Sequence, residues 1–129
     1  MMTDYEMAQI ALSIGDQIDF LWNFYVTACA ILLGWLFSSN ISWDKDKQIA
    51  LTVLFVIFAA VNLSAVYSSY TLFESALAQL RHSTASNNFI SEFANATGIG
   101  SMAAIIVHLT ADIFIYNIIK RLMYKKHSE

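Results

Sequence analysis

The sequence contains no proline, one cysteine and four glycines in 129 residues. Proline and glycine are the strongest interruptions of a regular helix, so long apolar stretches can continue here without a breaker. The lone cysteine, Cys29, has no second cysteine with which to form an intramolecular disulfide, and a thiolate metal cluster is excluded for the same reason. We expect Cys29 to be a small buried hydrophobic side chain.

Charge is also scarce, because only 13% of the residues are charged whereas 57% are hydrophobic. This balance excludes an ordinary soluble domain. The apolar residues form three blocks, at 18–39, 49–70 and around 99–119, and each is close to the roughly 20 residues that a helix needs to cross a bilayer. The sequence therefore predicts an all-α integral membrane protein with three transmembrane helices in contact with lipid. We place these helices at about 4–39, 48–82 and 88–124 of a single domain, 1–129.

The basic residues predict the orientation of the chain in the membrane. Arg81 alone lies in the second connection, whereas the others lie in the first connection or after the third helix: Lys45, Lys47, Lys120, Arg121, Lys125 and Lys126. Cytoplasmic segments retain positive charge, so we expect a multi-pass plasma (inner) membrane protein with its N-terminus outside and its C-terminus in the cytoplasm. Aromatic residues then mark the outer interface: Phe20, Trp22, Tyr25, Tyr67 and Tyr70.

Apolar residues recur at alternating steps of four and three in the first two predicted helices, which is the spacing of a coiled-coil seam. The seams are Met7, Ala11, Ile14, Ile18, Leu21, Tyr25 and Ala28, and Ala59, Leu63, Val66, Tyr70, Phe73, Leu77 and Leu80. Both reach beyond the apolar blocks, so we expect long helices that extend outside the bilayer as a short helical stalk. The alternative is that residues 4–17 bend and lie flat on the membrane as an amphipathic helix.

Two ionisable residues, His108 and Asp112, interrupt the third apolar block in the stretch IVHLTAD. Residues four apart share a helix face, so their side chains can pair. Counting about 1.5 Å per residue from the inner boundary places His108 level with Asn62 and Thr27. Asn23 lies slightly further out. A charge that faces lipid costs at least about 2.5 kcal/mol, so we expect this polar group to face other helices or water.

Small residues spaced for close helix packing accompany this polar group. On the third predicted helix they form the row Ala96, Gly100 and Ala104, which leads directly into His108, and Gly34 lies in a comparable row on the first helix. Two roles fit the polar residues. They either hold the helices together or mark a path for ions or protons, which is a common use of ionisable residues inside membranes.

No motif in the sequence supports catalysis. A glycine-rich phosphate loop, a nucleophile elbow and a zinc signature are all missing, and His108 lacks further nitrogen or sulfur ligands nearby in the chain. The short basic C-terminal segment is not enough to indicate nucleic-acid binding. We therefore expect no enzyme activity, no cofactor, no metal and no nucleic acid.

Three functions are compatible with these features. Three helices alone are not expected to bury two ionisable residues and also enclose a polar path, so self-association into a homo-oligomeric channel or pore for cations or protons is the first hypothesis. The second is a non-transporting accessory or anchoring subunit that binds a larger membrane protein. The third is a lytic pore-former, since the three spans, the outside N-terminus and the basic tail resemble class I phage holins. The long stalk departs from the holin pattern.

The charge asymmetry predicts which connections are accessible from outside. In a Cys29→Ser background, Ser86→Cys should react with an impermeant maleimide added to intact cells, and Lys126→Cys should not, because the positive-inside rule places them on opposite sides. Reversed labelling would contradict the orientation.

Overall fold

The structure, a computed structural model, describes residues 2–38, 40–83, 88–95 and 99–127. About 92% of these residues are helical, and none of them lies in a strand. The helices are α1 (Asp4–Ser38), α2 (Lys45–Ser83), α3 (Asn88–Asn95) and α4 (Ser101–His127). The predicted all-α fold is confirmed.

Side-chain caps explain where the first two long helices begin. Thr3 and Glu6 form a capping box at the start of α1, in which the Glu6 carboxylate accepts a hydrogen bond from the Thr3 backbone N–H at 2.7 Å. Asp44 caps α2 by accepting a hydrogen bond from the backbone N–H of Lys47 at 2.9 Å. This bond and the contact with the Lys47 ammonium hold the pKa of Asp44 below its usual range.

Three of the helices, α1, α2 and α4, are long and apolar enough to cross a membrane. The longest, α2, has 39 residues and a length of about 58 Å, which exceeds a hydrocarbon core of about 30 Å. Length and composition therefore make the chain a multi-pass membrane protein whose helices are longer than the bilayer requires.

The helix α2 lies at the centre of the bundle, because it contacts α1, α3 and α4, while α1 also contacts α4. Two groups of apolar residues fill the core. One lies towards the connection at 40–44, which we call the loop end: Tyr25, Cys29, Leu36, Trp43, Phe55, Ala59, Ile119 and Met123. The other lies at the opposite end, where α3 packs, which we call the α3 end: Ala11, Ala76, Leu77, Leu80 and Ala94. Both groups contain seam residues, so the seams pack against each other within one chain.

The prediction of one continuous helix at 88–124 is wrong, since Ile99 and Gly100 are not helical and α4 begins at Ser101. Glycine costs about 1 kcal/mol in a helix interior, which favours a break here. A carboxylate from α2 stabilises the new helix start, because Glu74 accepts hydrogen bonds from the Ser101 backbone N–H at 2.7 Å and from its hydroxyl at 3.0 Å. A Cβ at Gly100 would lie 3.2 Å from the same carboxylate, so a larger residue there would require a small shift of the Glu74 side chain.

The packing at the α3 end predicts that a charge at Leu77 destabilises the bundle. Leu77 is buried whereas Gln79, two residues on, is exposed. Leu77→Asp should lower the free energy of unfolding in detergent by at least about 2 kcal/mol, because the apolar contacts are lost and a carboxylate is desolvated. The control Gln79→Asp adds the same charge to solvent and should change it by less than about 0.5 kcal/mol. Equal effects of the two variants would show that Leu77 is not packed.

Candidate functional site

The centre of the candidate site is the pair His108 and Asp112 on α4. These residues are one helical turn apart, and His108 Nδ1 lies 2.8 Å from Asp112 Oδ2. The His108 side chain is 0% exposed and that of Asp112 is 13% exposed. The expectation that both point into the protein and interact is therefore met in this geometry.

The central helix α2 supplies the second partner of the imidazole. Asn62 Oδ1 lies 2.8 Å from His108 Nε2, and Asn62 is itself buried. Asn62 belongs to the same face of α2 as the buried residues Val66 and Ser69, which turns it towards the bundle interior. The depth count from the sequence predicted that Asn62 and His108 are level, and the structure brings them into direct contact.

The first helix contributes a residue that the sequence analysis did not place in the site. The hydroxyl of Tyr25 donates a hydrogen bond to Asp112 Oδ1 at 2.7 Å. The Tyr25 ring also packs against the His108 ring, with 4.3 Å between centroids. Tyr25 is buried at the helix contact and is not exposed as an interface residue. Its position in the α1 seam, between Leu21 and Ala28, was the signal that could have identified it.

We call Tyr25, Asn62, His108 and Asp112 the polar cluster. Each long helix contributes to it, and both ring nitrogens of His108 and both carboxylate oxygens of Asp112 have a hydrogen-bond partner. A buried polar group that is fully hydrogen-bonded avoids most of its desolvation cost. The bond from Tyr25 joins α1 to α4, and the bond from Asn62 joins α2 to α4. The three helices of one chain bury His108 fully and leave 13% of the Asp112 side chain exposed. The expectation that they cannot also enclose a polar path stays a prediction.

Two polar residues predicted for the same site lie elsewhere. Asn23 and Thr27 are exposed on the outward side of α1, although Thr27 was predicted to be level with His108. The depth count is insensitive to the rotation of a helix about its axis. Tyr25, between them in sequence, faces inward, so its two neighbours at positions 23 and 27 face away from the bundle core.

The structure agrees with only part of the prediction that small residues form close helix-packing rows. Ala104 is buried, in agreement with close packing on α4. Gly34 is exposed, with no described neighbour within 4 Å of the position its Cβ would take. Gly100 makes its close contact with Glu74 from outside the helix, so it does not continue a helical row. Ala96 lies outside the described residues.

The polar cluster reaches the surface of the chain at a groove between α2 and α4. Asp112 lines this groove together with Tyr116 and Asn117 of α4, while the α2 side consists of apolar residues such as Ala59 and Ala60. The exposed part of the Asp112 carboxylate is therefore accessible from this side of the bundle. We call this feature the α2–α4 groove.

A second opening lies at the α3 end, between α1, α2 and the residues around α3. Two carboxylates, Asp16 and Asp19, line this cavity together with Tyr70 of α2. The Tyr70 hydroxyl accepts a hydrogen bond from Trp22 Nε1 at 3.2 Å, and the Trp22 ring centroid lies 5.5 Å from that of His108. Trp22 thus separates the acidic cavity from the polar cluster.

Within the described ranges, no group of three or more His, Cys, Asp and Glu side chains is arranged to hold a metal ion. Comparisons with protein families, with curated proteins and with solved structures find no match to this chain. The fold and the polar cluster therefore define the protein by class alone, as an all-α multi-pass membrane protein with a buried ionisable pair.

The contact between α1 and α4 predicts a specific effect of removing one hydroxyl. Tyr25→Phe should lower the free energy of unfolding by about 0.5 to 3 kcal/mol, because it removes a hydrogen bond to the Asp112 carboxyl group. Tyr67→Phe is the matched control, since the Tyr67 side chain is largely exposed. Denaturation of the purified protein in mixed micelles measures both values. A Tyr25→Phe variant as stable as Tyr67→Phe would contradict the contact with Asp112.

Proposed function

We propose that the protein is a homo-oligomeric membrane channel for protons or other cations, with the polar cluster on the conducting path. The observation that carries the proposal is the location of the cluster between two openings. The acidic cavity at the α3 end lies on one side of Trp22, and the α2–α4 groove exposes Asp112 on the other. Ionisable residues inside membrane bundles are costly, and ion or proton paths are a frequent reason for their presence.

The charges at the two ends of the bundle favour cations over anions. Asp16 and Asp19 are exposed at the α3-end cavity, and carboxylates that line a cavity raise the local concentration of cations. Basic residues lie at the loop end, where Lys47 is exposed and pairs with Asp44 at 3.0 Å. The positive-inside rule then places the loop end in the cytoplasm and the α3 end outside, in a plasma (inner) membrane.

Self-association is supported by the exposed face of α1. Asn23, Thr27 and Gly34 lie on the outside of the single bundle, where a lipid environment offers no partner for an amide or a hydroxyl. Amide and hydroxyl side chains on neighbouring copies can bond to each other, and a glycine lets their backbones approach closely. A ring of copies would cover these residues and surround the α2–α4 grooves.

A second candidate, an accessory or anchoring subunit, is favoured by one observation. The polar cluster has all its hydrogen bonds satisfied within one chain, so it can serve as a purely structural link between the three helices. In that case the exposed face of α1 binds a different membrane protein. The holin-like alternative has no specific support from the polar cluster.

Ion flux separates these functions. In proteoliposomes loaded with a pH-sensitive dye, and separately with a potassium-sensitive dye, we expect the wild-type protein to dissipate an imposed gradient. Asp112→Asn should reduce this flux to the level of empty vesicles, because the carboxylate of the cluster is lost. Thr110→Val is the matched control, since Thr110 is exposed and bonds only to the backbone carbonyl of Ile106.

The outcome decides between the two candidates. A discrete oligomer in nanodiscs with flux that requires Asp112 supports the channel. A monomer that carries no ion, in vesicles where its correct insertion is verified, would contradict the channel and favour the accessory subunit.

A further inference from the structure

We propose that the ion handled by the polar cluster is the proton, and that Asn62 is a positioning residue that keeps His108 Nδ1 directed at Asp112 as the proton-exchanging nitrogen. This inference rests on the proposed channel function and names the species that the channel carries. It depends on the directions of the hydrogen bonds around one buried imidazole.

The carbonyl oxygen of Asn62 determines which ring nitrogen keeps its hydrogen. Oδ1 is an acceptor, so at 2.8 Å it requires a hydrogen on His108 Nε2. A neutral imidazole carries only one N–H, and Asn62 therefore holds the neutral ring in the Nε2–H form. Nδ1 is then left with a lone pair, 2.8 Å from Asp112 Oδ2.

One further proton can occupy the gap between Nδ1 and Oδ2. When it is on the carboxyl group, the O–H of Asp112 donates to the Nδ1 lone pair and both residues are neutral. When it transfers, the O–H bond breaks and an N–H bond forms, which gives an imidazolium and a carboxylate. The Nε2–H bond to Asn62 and the Tyr25 bond to Asp112 Oδ1 persist in both states, so the transfer needs no rearrangement of the neighbouring helices.

The surroundings restrict this exchange to a single pair of groups. The titratable and hydrogen-bonding groups of the polar cluster that face His108 are Tyr25 of α1, Asn62 of α2 and Asp112 of its own helix α4. The Trp22 ring also lies beside His108, and Cys29 lies one turn from Tyr25 in the same core. Asp112 is the only carboxyl group among them, and part of it is exposed to the α2–α4 groove. Protons therefore reach the pair from the groove, through Asp112.

A metal cation fits the same position poorly. Both Asp112 oxygens already have a hydrogen-bond partner, at 2.7 and 2.8 Å, and a bound cation would compete with both contacts. Hard cations require several oxygen ligands, typically six to eight for Ca²⁺. The cluster instead offers one carboxylate, one amide oxygen and one phenol around a ring that is 0% exposed. A proton needs only one donor and one acceptor in line.

Nitrogen NMR tests the role of Asn62 without any measurement of transport. The chain has three histidines, so a His82→Gln, His127→Gln protein labelled with ¹⁵N-histidine in nanodiscs reports on His108 alone. We expect Nε2 to stay protonated across the pH titration. Only the Nδ1 resonance should move, between the ¹⁵N chemical shift of an unprotonated ring nitrogen and that of a protonated one. Asn62→Leu should remove the preference for Nε2–H, and Asn62→Asp, which keeps an oxygen acceptor, should restore it.

The NMR result can overturn the inference even if the Asn62 variants do not fold. A wild-type ring whose neutral form carries its hydrogen on Nδ1 would contradict the assigned role of Asn62. An Asn62→Leu protein that folds and retains the Nε2–H form would contradict it equally.

A measurement of ion selectivity tests whether the conducted ion is the proton. Its outcomes also separate this inference from the channel proposal. In planar bilayers with opposed pH and KCl gradients, we expect the reversal potential to follow the pH gradient, and the current to disappear in Asp112→Asn. A reversal potential set by K⁺ or Na⁺ would overturn the proton inference while the channel stands. A protein that shows the expected NMR titration but conducts no ion would overturn the channel and leave the protonation site.

Discussion

The bundle depends on the burial of one imidazole that must satisfy two polar nitrogens in a low-dielectric interior. Leaving either nitrogen without a partner costs roughly 1 to 3 kcal/mol, so the position of His108 constrains the helices that surround it. Asn62 from α2 forms a hydrogen bond with one nitrogen, and Asp112 forms a hydrogen bond with the other. Tyr25 from α1 in turn donates a hydrogen bond to Asp112. In a bilayer, an apolar contact between two helices is nearly equivalent to an apolar contact between a helix and lipid. Hydrogen bonds of this kind and close packing therefore select the arrangement of the helices.

The contact between Glu74 and Ser101 supports the same arrangement from the α3 end. Glu74, like Asn62, belongs to α2, so the central helix contacts α4 at its start, Ser101, and again about two turns later, at His108. The non-helical residues Ile99 and Gly100 precede α4, and both α3 and α4 pack on α2. Arg81 of α2 also contributes, because its Nε donates a hydrogen bond to the backbone carbonyl of Ala94 at 2.6 Å.

Much of this arrangement could be predicted from local spacing, and the rest required the fold. The pairing of His108 with Asp112 follows from four-residue spacing on a helix, and the contact with Asn62 follows from a depth count across two antiparallel helices. Neither argument specifies the rotation of a helix about its axis, so Thr27 was assigned to the site in place of Tyr25. The break before Ser101 was missed because Gly100 and Ala104 fit a helical row, and the carboxylate that caps the new helix is 27 residues away in the chain.

The central claim is that three helices share one hydrogen-bonded unit around His108, and a double-mutant cycle tests it most directly. Asn62 and Asp112 contact opposite nitrogens of the same ring, so Asn62→Leu, Asp112→Asn and the double variant form the cycle. The free energies of unfolding in mixed micelles should show a coupling of about 0.5 to 3 kcal/mol between the two changes, because they act on one network. Effects that add to within about 0.3 kcal/mol would show that the two residues act independently, and they would contradict the account.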